Sequence, residues 1–101
     1  MKEVMSLLGL SKRAGKLVPG EAQALEAVRN NKAKLIFVAN DAGVNTSKRM
    51  HDKAKYYNVP LVDIFSKDEL SIATGDCNRI VCAVTDKGFS KKMLELIEKG
   101  Q

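Results

Sequence analysis

The chain has 101 residues, 45% of them hydrophobic and 29% charged, with a net charge of +5 at neutral pH. That length suits one compact domain with a single modest core, and the composition excludes a disordered chain. No apolar run approaches the roughly 20 residues of a membrane helix, and Met1-Lys2-Glu3 leads straight into helical periodicity. The expectation is a cytoplasmic protein with no membrane partner.

In chain order, Val4, Leu7, Leu8 and Ala14 recur at helical spacing, and Gly15 is a natural stop. Leu17-Val18 leaves room for a very short strand before Pro19-Gly20. A second helix starts near Gly20 or Glu21, turns Leu25 and Val28 inward, and ends at Asn30-Asn31. The unbroken apolar run Leu35 to Ala39 reads as a strand buried on both faces. After a loop over 40–45, Asn45 or Thr46 caps a third helix with Met50, Ala54 and Tyr57 inside and Asn58 at its close. Pro60 opens a strand from Leu61 to Phe65. Ser66-Lys67-Asp68-Glu69 is a capping box, so a short helix begins there, carries Leu70 and Ala73, and stops at Gly75. The loop Asp76-Cys77-Asn78 precedes a strand from Ile80 to Val84, and a last helix aligns Phe89, Met93, Leu96 and Ile97. Buried strands alternating with amphipathic helices predict the α/β class: a three-layer α/β/α sandwich on a small mixed sheet of about four strands.

The charge is unevenly placed. Residues 1–49 hold nine Lys and Arg against four acids, whereas residues 50–101 hold eight of each. The whole excess lies in the first half, which fits one positive face and an acidic partner. Within it, Lys12, Arg13 and Lys16 run into Leu17-Val18-Pro19-Gly20 and then a helix start. Unpaired N–H groups and the positive helix end make an anion site there, and Gly20 lets a ligand approach the backbone. The plainer reading of this segment is a surface turn before an ordinary amphipathic helix.

Other chemistry finds little support. No Gly-x-Gly-x-x-Gly follows a strand and no phosphate-binding Gly-x-x-x-x-Gly-Lys-Ser/Thr occurs. His51, the one histidine, stands beside Asp52 in a polar helical stretch, and no motif ties a Ser or Cys to it. Nothing pairs Asp41 with Asp63. Phe37, Phe65 and Phe89 fall at core positions, so no aromatic stacking platform is signalled. Cys77 and Cys82 are read as free thiols, Cys77 accessible in its loop and Cys82 buried in its strand, and the ligands for a zinc site are too few. The expectation is no enzyme, no metal and no cofactor.

The run from Gly20 to Ala42, with Val59-Pro60, Ser66-Lys67-Asp68-Glu69-Leu70 and Ala73-x-Gly75, resembles large-subunit ribosomal proteins that bind kink-turn RNA, the L-seven-A-e/L-thirty-e superfamily. The likeness spans nearly the whole chain. Asn45-Thr46-Ser47-Lys48 and Val84-Thr85-Asp86-Lys87-Gly88-Phe89 bring it nearest to the small bacterial YlxQ-like paralogues. The resemblance implies an α/β/α sandwich and a single, monomeric RNA-binding domain, 1–101. Its target would be kink-turn-like RNA with tandem G·A pairs, in ribosomal RNA or a structured messenger RNA. In such proteins a Gly-x-Asn-Glu helix start enters the groove at those pairs. Here Gly20 is kept, Glu21 fills the free position, Ala22 stands for Asn, Gln23 for Glu, and Glu26 for a supporting Lys. The second family contact falls on Asp76, Cys77, Asn78 and Arg79, a more polar loop than usual, and Lys67 matches a basic position near the RNA backbone. With Lys12, Arg13 and Lys16 on phosphates, these residues are the candidate RNA site. Ala22 and Glu26 keep open an alternative, a protein-interaction adaptor with the fold retained and RNA binding weakened. A further alternative is an accessory domain of an RNA-modifying enzyme.

Overall fold

A computed structural model describes residues 2–100. Its elements run α1 (Lys2–Arg13), β1 (Leu17–Pro19), α2 (Glu21–Arg29), β2 (Leu35–Val38), α3 (Val44–Tyr57), β3 (Leu61–Val62), α4 (Lys67–Thr74), β4 (Val81–Val84) and α5 (Lys87–Lys99). The strands form one sheet in the order β1-β4-β2-β3, with β4 antiparallel to β1 and β2, and β3 parallel to β2. The sheet is therefore mixed, and Pro19, which has no N–H to offer a ladder, sits on an edge strand where none is needed.

Strand periodicity divides the core in two. Leu35, Phe37, Cys82, Val84 and Leu17 face Val4 and Leu8 of α1, Leu70 of α4 and Met93 of α5. Ile36, Val38, Val81 and Ala83 face Ala24, Ala27 and Val28 of α2 and Met50 and Ala54 of α3. Residues i and i+2 of a strand share a face, so a strand apolar at every position is covered on both sides. This is the expected three-layer sandwich. Cys82 is buried in β4 and Cys77 exposed in its loop, and both are free thiols, as read from the sequence. Burial without a cationic neighbour strong enough to compensate pushes the Cys82 thiol up to about 12.

Two element boundaries differ from the sequence reading by more than one residue. Helix α3 starts at Val44 with Gly43 as its cap, and no side chain caps it. Thr46 does not serve that end because its hydroxyl donates to Glu21 Oε1 across the α2–α3 interface, at 3.4 Å. Strand β3 keeps only two of its five expected residues. It is the other edge of the sheet, paired solely through Ile36↔Leu61 and Phe37↔Val62. Beyond it Asn40 captures the chain, its N–H donating to Phe65 O at 2.8 Å and its side chain to Ile64 O at 3.3 Å. That turn carries Phe65 into the core, where its ring stacks on Phe37 at 6.1 Å.

Candidate nucleic-acid interface

The strand directions gather distant parts of the chain at one end of the sheet. β1, β2 and β3 end there and β4 begins there, as the registers Pro19↔Cys82, Val38↔Val81 and Phe37↔Val62 require. Gly20 N donates to Val81 O at 2.9 Å and Ala39 N to Ile80 O at 2.8 Å, extending the ladders past the strands. The start of α2, the loop after β2, the start of α4 and the loop before β4 all lie on this end.

Gly20 caps α2 with φ 89° and ψ 153°, a conformation that only glycine adopts readily. It supplies no side-chain cap, and the first helical bond runs from Ala24 N to Gly20 O at 3.0 Å. The N–H groups of Glu21, Ala22 and Gln23 thus point out of the helix end without an intrahelical acceptor, beside exposed Ala22 and Gln23 side chains. Glu21 is turned away from this opening. Arg49 of α3 grips its carboxylate with two donors, Nε to Oε2 and Nη2 to Oε1, the second at 3.1 Å. Those bonds, with the Thr46 hydroxyl, hold the Glu21 carboxyl below its ordinary range. Arg49 and Thr46 are missed from the sequence because β2 separates α2 from α3. A Glu in the first turn of one helix does not reveal which later arginine will meet it.

The loop before β4 faces Gly20. Arg79 Nη1 lies 4.0 Å from where a Gly20 Cβ would stand. Arg79 Nη2 is 3.2 Å from Asp76 Oδ2, and Lys12 Nζ is 2.7 Å from Asp76 Oδ1. The two cations, Lys12 foremost, hold the Asp76 carboxyl below its ordinary range. Ser71 of α4 anchors the loop backbone, accepting from Arg79 N on its hydroxyl at 2.7 Å and from Asp76 N on its carbonyl at 2.9 Å. Cys77 and Asn78 form the exposed tip, with Asn78 at φ 54°. Next to this cluster, a cleft of ≈ 360 Å³ between α1 and α4 is lined by Lys12, Arg13 and Ile72, the last 77% exposed.

Lys67 starts α4 on the same end of the sheet, its N–H donating to Asp41 Oδ1 at 2.9 Å. Lys16 does not join the group. Its carbonyl accepts from Thr85 N at the opposite end of β1, and four residues of strand place it about 13 Å from Gly20. The carboxylates set aside as catalysts have separate partners: Asp41 holds the α4 start, and Asp63 Oδ2 lies 3.3 Å from His51 Nε2. His51 Nδ1 is also 2.8 Å from Ser47 O, the geometry of a surface link between α3 and the loop after β3. Among the described residues no three His, Cys, Asp or Glu side chains could hold a metal ion, and no helix is long and apolar enough to cross a membrane.

Residues 2–94 match the ribosomal protein L7Ae/L30e/S12e/Gadd45 family. The chain is 47% identical over 97 residues to an RNA-binding protein YlxQ from Enterococcus faecium, covering 96% of this chain and 93% of that one. It is 42% identical over 96 residues to an RNA-binding protein YlxQ from Bacillus subtilis (strain 168), covering 95% and 96%. Among solved structures, a Bacillus halodurans C protein of unknown function superposes with a TM-score of 0.92 at 38% identity, covering 97% of this chain and 99% of that one. A Giardia lamblia 15.5kD RNA binding protein superposes with a TM-score of 0.84 at 24% identity, covering 97% and 84%, a likeness of fold.

Proposed function

The chain belongs to the ribosomal protein L7Ae/L30e/S12e/Gadd45 family, and from that premise we propose that it is a non-catalytic RNA-binding protein that recognises kink-turn-like RNA with tandem G·A pairs. The observation that carries this reading is the pairing of the uncapped α2 start with the Arg79 loop. Free N–H donors and a glycine that clears the way for bases face a guanidinium across a few ångströms. The two relatives at 42% and 47% identity are themselves RNA-binding proteins by name, which supports RNA as the partner.

In this reading Gln23 offers an acceptor to a guanine edge and a donor to an adenine, and the N–H groups of α2 meet a phosphate or base carbonyl. Arg79, Lys12, Arg13 and Lys67 neutralise phosphates on the strands that the kink brings together. Lys16, at the far end of β1, acts on a more distant phosphate. A bent RNA is costly to hold alone, so a protein that binds only the bent form shifts the population toward it.

Electrophoretic mobility with a kink-turn RNA and a duplex of equal length tests the proposal. Preference for the kink-turn is expected, with a log–log salt slope of about −2 to −5 for three to five neutralised phosphates. A flat salt response, with both RNAs ignored, would overturn it in favour of a protein-interaction adaptor. Exposed Ala22 and Glu26 on α2, which present no polar contact and a negative charge respectively, are what would favour that second reading.

A further inference from the structure

Two of the cations assigned to RNA are already engaged. Lys12 Nζ and Arg79 Nη2 both close on Asp76, at 2.7 and 3.2 Å, so the cluster presents a net charge of one where two positive groups stand. The arrangement is not a locked structural bridge. Asp76, Lys12 and Arg79 side chains remain 24%, 37% and 18% exposed, and Arg79 Nε is a buried atom without a hydrogen-bond partner. Of the two pairs, Lys12–Asp76 is the more exposed, and ion pairs near the surface contribute little to stability. The backbone of the loop does not depend on them, because Ser71 anchors it through Asp76 N and Arg79 N. The carboxylate can therefore swing out while the loop keeps its shape.

We propose that Asp76 is a built-in competitor for RNA phosphate: it occupies Lys12 and Arg79 in the free protein and must give them up when RNA binds. A carboxylate and a phosphodiester each bring one negative charge and two acceptor oxygens to the same donors, so one substitutes for the other. The consequence is a damped interface. Each binding event spends part of the phosphate attraction on displacing Asp76, which weakens sequence-independent binding and leaves discrimination to the base-edge contacts at Gly20 to Gln23. The inference rests on the RNA-binding reading above and adds to it a residue that opposes binding.

The test measures wild type, Asp76→Asn and Asp76→Asn/Lys12→Gln on a kink-turn RNA and on a duplex of equal length, across a salt series. Asp76→Asn is expected to bind both RNAs about 3- to 10-fold more tightly, with a log–log salt slope more negative by about one. Adding Lys12→Gln should return the slope to that of wild type. Asparagine is nearly isosteric, and Asp76→Ser, checked by thermal melting, gives the same readout should the first variant fold poorly. Unchanged or weaker binding by a folded Asp76 variant would overturn the inference and make Asp76 an aid to Arg79. If wild type prefers the kink-turn and Asp76→Asn gains nothing, the inference falls while the recognition stands. If wild type shows no preference but Asp76→Asn gains on both RNAs, the kink-turn reading falls and the competitor stands. Failure of all three proteins to bind either RNA removes both.

Discussion

Of the helices that begin on this end of the sheet, α2 and α4 begin in opposite ways. α4 starts on Ser66, whose hydroxyl accepts from Glu69 N at 3.1 Å while Glu69 Oε1 accepts from Ser66 N at 2.9 Å. Asp41 takes the Lys67 N–H as well, so the N–H groups of Ser66, Lys67 and Glu69 all find acceptors within the protein. α2 starts on Gly20 with no side-chain cap and a backbone conformation hostile to any other residue. The one acid of its first turn, Glu21, is drawn off to Arg49 instead of folding back on the helix end. A helix end that completes its own hydrogen bonds serves stability. One that leaves them open gains nothing within the fold and is suited to an outside acceptor.

Gly20→Val should break the comparison most severely. A branched residue at φ 89°, ψ 153° is strained by about 1–3 kcal/mol, and its Cβ would stand 4.0 Å from Arg79 Nη1, filling the space a ligand needs. Chemical denaturation should show that loss of stability, and kink-turn binding should disappear even where the protein remains folded. Gln23→Ala separates the two properties. Because Gln23 is exposed, stability should change by less than about 0.5 kcal/mol, while discrimination for G·A-containing RNA falls by about 1–3 kcal/mol. Equal affinity for matched and G·A-disrupted RNAs in wild type and variant alike would remove base reading from this helix start.

Ser66→Ala is the converse experiment. It should cost about 1 kcal/mol of folding stability through loss of the cap, with kink-turn affinity unchanged. A larger effect on RNA than on melting would show that the α4 start also serves the ligand. The smallest effect concerns acid. Arg49 lowers the Glu21 carboxyl and Lys12 lowers Asp76, so both contribute stability above their unfolded values and lose it as pH falls through the folded ones. Melting temperature should accordingly drop from about pH 5 downward, and Glu21→Gln should make that drop shallower. A Glu21→Gln profile parallel to wild type would mean that the Arg49 link carries no pH-dependent stability.

Most of the architecture was legible along the chain because its causes are local. Apolar runs announced β2 and β4, helical spacing announced α1 and α5, and Ser66 to Glu69 spelled out a cap whose partners are three residues apart. Gly20 was also legible, since a glycine following proline at a helix start has few other uses. The failures share a cause too. Thr46 looked like a cap and instead serves Glu21, and β3 lost its last three expected residues to a side chain and an N–H of Asn40.

Residue types and their near neighbours therefore determined the layers, the element order and the open start of α2, because caps and periodicity act within about one helical turn or two strand residues. Which distant charges meet was decided by the tertiary structure. Lys12 and Asp76 are separated by most of the chain and meet because α1 packs on α4, while the sheet register sets Arg79 near Gly20 and leaves Lys16 at the other end of β1. Charge pairing depends on distance in space, and that distance comes into being only when the strands pair.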